Sequence, residues 1–171
     1  MPVSDATPLI YLAKIGKPNL LRELFGQVQI PPEVRKEVVD RGKEKGYPDA
    51  ISIERAIDDG WLVTHPLTGK EQGMSKVLAQ VAGIDIGEAQ TILLAKRKNE
   101  REVLIDQTNA REAALQLNLT PRGTIYVVIV SLKKKMLTKE EAVQMLDRLI
   151  EANFYMSVEI YRGALKAIEE L

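Results

Sequence analysis

The chain of 171 residues contains no cysteine and a single histidine, His65. The lack of cysteine excludes disulfides, thiolate nucleophiles and cysteine-rich zinc sites. A lone histidine excludes a metal site with several imidazole ligands and argues against a histidine-based catalytic triad. Any metal that this chain binds must therefore be held by oxygen atoms, which favours magnesium or manganese.

The chain also lacks an excess of positive or negative charge, and it has no long apolar run. The 24 basic and 24 acidic side chains balance, so only a local patch of charge could attract nucleic acid. The chain starts directly with a candidate strand and has no apolar run long enough to cross a bilayer. We therefore expect no signal peptide, no membrane contact and a cytoplasmic protein.

The residues that are present are typical of a single globular domain, residues 1–171. A content of 45% hydrophobic and 28% charged residues is too apolar for a disordered chain, and the length suffices to bury a core. Short apolar runs alternate with helical patterns along the chain. This alternation predicts an α/β fold whose central, mainly parallel sheet is covered by helices on both faces.

The segment 84–111, IDIGEAQTILLAKRKNEREVLIDQTNAR, combines a helix, a charged turn and a strand that ends in an acid. Apolar residues recur at helical spacing in its first half, and Glu88 lies at the edge of that stripe. The run VLI at 103–105 is typical of a strand covered on both faces, and Asp106 follows it directly. A carboxylate at the end of a buried strand is costly unless a partner binds it.

Two earlier acids occupy comparable positions. Asp5 follows a very short strand at 2–4, and Glu37 lies on a helix that begins at Pro32, after a second strand at 28–30. In parallel sheets the carboxyl ends of the strands share one edge, where ligands bind. Four carboxylates at that edge would repel one another unless cations neutralised them, so the pattern predicts a site for one or two divalent metal ions.

The segment 124–132, TIYVVIVSL, has two interpretations from its residues alone. Its β-branched side chains favour a strand, whereas its length and its continuation into three lysines equally allow a buried helix. Other predictions are less ambiguous. They are helices at about 7–16, 19–25, 47–60, 74–82, 108–117, 138–150 and 158–168, and a strand at 61–63.

Four segments in a fixed order resemble the PIN-domain nuclease superfamily, in particular a prokaryotic branch of it. They are SDATPLIYLAKIG, PPEVRKEV, DIGEAQTILLA, and VLIDQTNAR followed by a glycine–threonine segment. The resemblance extends from Val3 to about Ile168. It implies the three-layer α/β/α sandwich of PIN domains, and it implies that the segment 124–135 is a helix.

The resemblance also implies a role for each acid. Asp5, Glu37, Glu88 and Asp106 match the catalytic acids of PIN nucleases, which bind Mg²⁺ or Mn²⁺. Thr7 matches the small hydroxyl residue that follows the first acid. The implied activity is that of a metal-dependent endoribonuclease that hydrolyses phosphodiester bonds of single-stranded RNA. The toxin of a toxin–antitoxin pair, with an antitoxin protein as partner, is one role for such an enzyme.

Relatives often carry a further acid just after the fourth, where this chain has Gln107, Thr108 and Asn109. The alternative function is therefore a PIN-fold module of weak or no catalytic activity that binds RNA or a protein partner. Asn109 could still ligate a metal through its carbonyl oxygen or through water. Together with Thr7 and Arg111, it is a candidate for substrate contact.

Structural explanations compete with these assignments. Asp5 and Asp106 would each suit the N-cap of the helix that follows, and Glu37 and Glu88 would suit solvated helix edges. Asp40 and Glu44 are alternative candidates to Glu37 on the same helix, and Asp85 is the alternative to Glu88.

Contacts with partners have only weak candidates in the sequence. A basic groove for RNA would draw on Lys133 to Lys135, Arg122 and Lys96 to Lys98. Candidate platforms for base stacking are Trp61 and Tyr126. Apolar residues of the first helices are candidates for a homodimer contact, and core burial explains them equally well; they are Leu9, Leu12, Leu20 and Leu21.

Overall fold

Five short strands form the centre of the computed structural model, which describes residues 1–171. They are β1 (Val3–Ser4), β2 (Val28–Ile30), β3 (Leu62–Thr64), β4 (Glu102–Leu104) and β5 (Thr120–Arg122). Every neighbouring pair is parallel, in the order β3-β2-β1-β4-β5. β5 was not predicted, because Pro121 lies at its centre. An edge strand tolerates proline, since one side of it makes no ladder hydrogen bonds.

Ten helices surround the sheet. They are α1 (Ala6–Lys14), α2 (Asn19–Phe25), α3 (32–44), α4 (Pro48–Asp58), α5 (Gly69–Ala82), α6 (Ile86–Lys98), α7 (Thr108–Gln116), α8 (Thr124–Lys133), α9 (Lys139–Glu151) and α10 (Val158–Glu170). α5 begins five residues earlier than predicted, because Thr68 and Glu71 form a capping box at its start. No helix combines the length and the apolarity that crossing a membrane requires.

The helix α3 changes its winding in the middle. An α-helical turn at Pro32–Arg35 is followed by a π-helical segment at Lys36–Arg41 and a short α-helical turn at Gly42–Glu44. π-Helical turns are rare in proteins, and those that occur are often found at functional sites. Glu37 lies in this segment, so the irregular winding determines where its carboxylate points.

The ambiguous segment TIYVVIVSL is helical and forms α8. Val127, Val128 and Leu132 are buried in the core, which α9 and α10 also line. Packing on these neighbours overrides the strand propensity of the β-branched residues. The helix implied by the resemblance is therefore confirmed, and the strand suggested by propensity is wrong.

Two hydrophobic clusters cover the opposite faces of the sheet. Along β4 and the residue after it, Val103 and Ile105 belong to one cluster with α6 and α7, whereas Leu104 belongs to the other with α1 to α4 and α8 to α10. This alternation produces the predicted three-layer α/β/α sandwich. Four leucines considered for a homodimer are buried in the larger cluster, so that interpretation is wrong; they are Leu9, Leu12, Leu20 and Leu21.

The direction of winding reverses between β1 and β4. The chain passes from β1 through β2 to β3 on one side, and β4 and β5 lie on the other side. β1 and β4 pair directly, with Ser4 opposite Leu104. Crevices beyond the carboxyl ends of strands at such a switch point are the usual ligand sites of open parallel sheets.

Candidate functional site

Asp5 lies directly beyond β1, at the switch point. Its backbone N–H donates to the carbonyl oxygen of Leu104 (2.9 Å), and its side chain is only 4% exposed. Asp5 occupies the N-cap position of α1, but its side chain makes no capping hydrogen bond. Capping of α1 therefore does not explain why an acid is buried here.

Three more carboxylates surround Asp5: Glu37 from α3, and Asp85 and Glu88 from the start of α6. Burial raises the pKa of Asp5 well above its usual value, the backbone N–H of Ala6 opposes the rise, and repulsion by Glu88, Asp85 and Glu37 adds to it. Burial and the same kind of repulsion raise the pKa of Glu88 to about 7 and also raise the pKa of Glu37. We call these four residues the acidic cluster.

The acidic cluster has almost no basic counterpart. Asp5, Asp85 and Glu88 form no ion pair, and the side-chain charges that shift the pKa of Asp5 and of Glu88 are all negative. Only Glu37 lies near cations, those of Arg41 and Lys45, which lower its pKa. Buried carboxylates without a protein cation, in a set that offers only oxygen ligands, fit a hard divalent cation.

Asp85 and Glu88 hold each other in place through a capping box. The Asp85 carboxylate accepts from the Glu88 backbone N–H, and the Glu88 carboxylate accepts from the Asp85 backbone N–H, both at 3.0 Å. A Cβ on the intervening Gly87 would lie 3.5 Å from Asp85 Oδ1 and 3.8 Å from Asp5 Oδ1. The sequence offered Asp85 as a substitute for Glu88, whereas the structure places both acids near Asp5.

Asp106, beyond β4, has different surroundings. Its Oδ1 accepts from the backbone N–H of Thr124 and its Oδ2 accepts from the Thr124 hydroxyl, both at 2.7 Å. Burial raises its pKa, although the Thr124 bonds and the charge of Arg111 oppose the rise. The N-cap of α7 is Gln107, whose side chain accepts from the Ala110 N–H at 2.8 Å. The N-cap interpretation of Asp106 is therefore wrong, and its carboxylate binds the start of α8.

Gly123 makes room for this arrangement. A Cβ at Gly123 would lie 2.6 Å from Asp106 Oδ1 and 3.5 Å from Arg111 Nη1. The backbone of Gly123 is extended, with φ −103° and ψ 178°, a conformation that any residue adopts. Space beside the Asp106 carboxylate, and not backbone freedom, is what requires a glycine here.

Two cavities flank the face of α1 that carries Thr7 and Tyr11, and both residues line each cavity. The smaller, of about 370 Å³, contains Glu37 and three basic side chains, those of Lys14, Arg41 and Lys45. The larger, of about 650 Å³, contains Asp106 and Arg111. Thr7 thus lies between the two sides of the predicted site, and Arg111 lies beside the fourth acid.

The structure brings three of the four predicted ligands together and adds Asp85 to them, while Asp106 lies apart with Thr124. With the side chains in these positions, no three acids are close enough to hold one ion. Asn109 is exposed and lines neither of these cavities, and its amide donates to the carbonyl of Gly83 at 3.5 Å.

Most of the basic residues expected to form an RNA groove lie elsewhere. Lys96 to Lys98 lie at the end of α6 and Lys133 to Lys135 lie at and just beyond the end of α8, whereas the site adjoins the first turns of these helices. The basic side chains near the site are Arg111, which was predicted, and the three of the smaller cavity, which were not. Arg41 and Lys45 follow Glu37 at intervals of four residues, and this spacing was the available signal.

A family model described as a PIN domain matches residues 1–170 of the chain. No curated protein and no solved structure matches the sequence. The matched range includes the acidic cluster, Asp106 and both cavities, so the similarity covers every part of the candidate site.

Proposed function

The chain belongs to the PIN-domain family, whose members are generally nucleases, and from this premise we propose that it is a metal-dependent endoribonuclease acting on single-stranded RNA. The observation that carries the proposal is the acidic cluster. It places two buried carboxylates, those of Asp5 and Glu88, without a basic counterpart at the switch point of a parallel sheet, with Glu37 and Asp85 beside them. Such a set costs folding free energy unless a cation binds it.

Asp5, Glu37, Glu88 and Asp106 are the proposed metal ligands and catalytic residues, with Asp85 as an additional ligand. Mg²⁺ or Mn²⁺ bound by these oxygens would lower the pKa of water and stabilise negative charge on the phosphate. The protein itself positions the acids. The capping box orients Asp85 and Glu88, and Thr124 orients Asp106.

Substrate contact is proposed on both sides of Thr7. The three basic side chains of the smaller cavity would bind backbone phosphates of the RNA, since phosphate contacts supply most of the affinity for nucleic acid. Arg111 would bind a phosphate on the other side, next to Asp106. The Nη1 group of Arg111 donates to the Ile105 carbonyl at 2.9 Å, which holds the guanidinium at the edge of the sheet.

Cleavage assays with single-stranded RNA and Mn²⁺ test the proposal. We expect Asp5→Asn and Asp106→Asn each to reduce cleavage at least about a hundredfold, since each removes an anionic ligand. The matched control is Asp40→Asn, which changes an exposed acid of α3 that pairs with Arg35 at 3.4 Å. Full cleavage by both site variants would overturn the proposed site.

A PIN-fold module that binds RNA or protein without cleaving it is the second candidate. It is favoured by the region after Asp106, where Gln107 caps α7 and Asn109 points to Gly83, so that no second acid joins Asp106. Calorimetric titration with Mn²⁺ separates the two functions. Binding that Asp5→Asn abolishes supports the nuclease, and no binding at millimolar Mn²⁺ supports the module.

The toxin of a toxin–antitoxin pair is a narrower form of the proposed activity. An endoribonuclease without control would degrade cellular RNA, which is why a protein inhibitor is expected as its partner. A small gene adjacent to the coding sequence, together with growth arrest on expression of the wild type but not of Asp5→Asn, would support this role. Unimpaired growth with active enzyme would contradict it.

A further inference from the structure

The larger cavity differs in chemistry from the smaller one. It holds a single basic side chain, that of Arg111, and its other wall is formed by aromatic and aliphatic residues that include Tyr126, Phe154 and Tyr155. The smaller cavity holds three basic side chains. A single strand of RNA offers two kinds of group, charged phosphates and flat apolar bases, and the two cavities match them separately.

Tyr155 is the most exposed large apolar side chain of the protein, at 88%. Its neighbour Phe154 is buried and packs edge-on against the ring of Tyr11, with 5.1 Å between the ring centroids. The hydroxyl of Tyr11 donates to the carbonyl of Asn153 at 3.2 Å. The loop between α9 and α10 is thus held against α1, the helix that begins next to Asp5, and this contact keeps Tyr155 at the cavity.

The two aromatic residues proposed from the sequence are less suitable. Trp61 is 5% exposed and belongs to the core, so its assignment as a stacking platform is wrong. The guanidinium of Arg122 lies 4.4 Å from the ring centroid of Tyr126 and covers one of its faces. The ring of Tyr155 has neither an aromatic nor a cationic partner.

We propose that the larger cavity is a nucleobase subsite, in which a base of single-stranded RNA stacks on Tyr155 beside the phosphate bound by Arg111. The subsite rests on the proposed function, because that function supplies the RNA. Its volume is within the usual range for small-molecule pockets. Stacking on one ring tolerates any base, since every base has a π-face.

The test uses a short single-stranded oligoribonucleotide that contains 2-aminopurine, whose fluorescence falls when it stacks on an aromatic ring. Titrations in EDTA measure binding independently of metal-dependent cleavage. We expect Tyr155→Ala to weaken binding roughly tenfold to a hundredfold and to remove the quenching. Tyr155→Phe keeps the ring and should keep both signals. Val158→Ala, an exposed neighbour that does not line the cavity, is the control.

The outcomes separate this inference from the proposed function. Loss of binding and quenching in Tyr155→Ala supports the subsite, even if no cleavage is found with Mn²⁺. Quenching in Tyr155→Ala equal to that of the wild type overturns the subsite, even if the enzyme cleaves RNA. An equal loss of affinity for an abasic oligonucleotide also overturns it, since that ligand has no base to stack. A wild type that binds no RNA, either in EDTA or with a divalent metal present, overturns it as well.

Discussion

Asp5 and Asp106 follow adjacent parallel strands and burial raises the pKa of both, yet the groups around the two carboxylates differ. Asp5 lies among other acids without a cation, whereas Asp106 receives two hydrogen bonds from Thr124 and the positive charge of Arg111. Two hydrogen bonds and a positive charge thus offset part of the cost of burying Asp106. At Asp5 only the backbone N–H of Ala6 offsets that cost, and three neighbouring acids add to it. The comparison therefore separates the side of the site where a cation would relieve repulsion from the side where donors of the protein hold the carboxylate.

Substitution by asparagine should reveal this difference most strongly. In EDTA, we expect Asp5→Asn to stabilise the protein on the order of 1 kcal/mol, because it removes a buried charge that other acids repel. Asp106→Asn should destabilise it by about 1–3 kcal/mol, because an amide cannot accept both Thr124 hydrogen bonds without leaving a donor unpaired. Thermal unfolding measures both. Shifts of the same sign would contradict the comparison.

Gly123→Ala should disturb the Asp106 side alone. The new Cβ would collide with Asp106 Oδ1, and the displaced carboxylate should lower cleavage at least about tenfold, since small misplacements of catalytic groups are costly. Overpacking should also cost about 1–3 kcal/mol of stability. Gly73→Ala on α5 is the matched control. No atom lies within 4 Å of its Cβ position, and it should stabilise the helix by about 0.5–1 kcal/mol. Normal cleavage by Gly123→Ala would show that the Asp106 position is not critical.

Thr124→Val should weaken the binding of the Asp106 carboxylate to α8 and should destabilise the protein by a smaller amount. The substitution removes the hydroxyl that donates to Asp106 Oδ2 but keeps the backbone donor and the side-chain shape. We expect a loss of roughly 0.5–1.5 kcal/mol in the free energy of unfolding, the usual net contribution of one hydrogen bond, because the backbone donor of Thr124 remains. Thr124→Ser keeps the hydroxyl and should lose less. Denaturant titration of both variants would show whether the hydroxyl matters.

The pH dependence of stability should report on the acidic cluster. The pKa of Glu88 is about 7 in the folded protein and about 4.5 ordinarily. The folded chain therefore holds a proton that the unfolded chain releases. The contribution of this proton to the free energy of unfolding is fully present below pH 4.5 and is lost as the pH rises through about 7. In EDTA we expect the unfolding temperature to fall over this window.

Binding of Mn²⁺ should become tighter over the same pH window, because the metal displaces the bound proton. Calorimetry in buffers of different ionisation enthalpy would detect the released protons. Glu88→Gln should flatten both pH profiles. A metal affinity that does not change between about pH 5 and pH 8 would show that the cluster does not carry the binding.

Local patterns predicted the strands and helices well, and the errors have physical reasons. The strand β5 was not predicted because Pro121 is typical of a turn. Proline is acceptable there only because β5 lies at the edge of the sheet. Local propensity favoured a strand for α8, and packing reversed that preference. The winding of α3 has no signal in its residues, yet its π-helical segment carries Glu37.

The candidate site was predicted as a set of acids, and the structure rearranges that set. Asp85 lies near Asp5 together with Glu88, because the capping box places both at the first turn of α6. Tyr155 is distant in sequence from the acids and was not considered. It reaches the site because the loop that carries it packs against Tyr11.

The sequence by itself determined the alternation of strands and helices and the two acids that end neighbouring strands. These are local properties, and parallel pairing then directs both strand ends to one edge. Only the tertiary structure decided which charges face each other. Repulsion and hydrogen bonding depend on distances between residues far apart in the chain, such as Asp5 and Glu88 or Asp106 and Thr124. These distances place Asp5 among other acids and Asp106 beside the donors of Thr124.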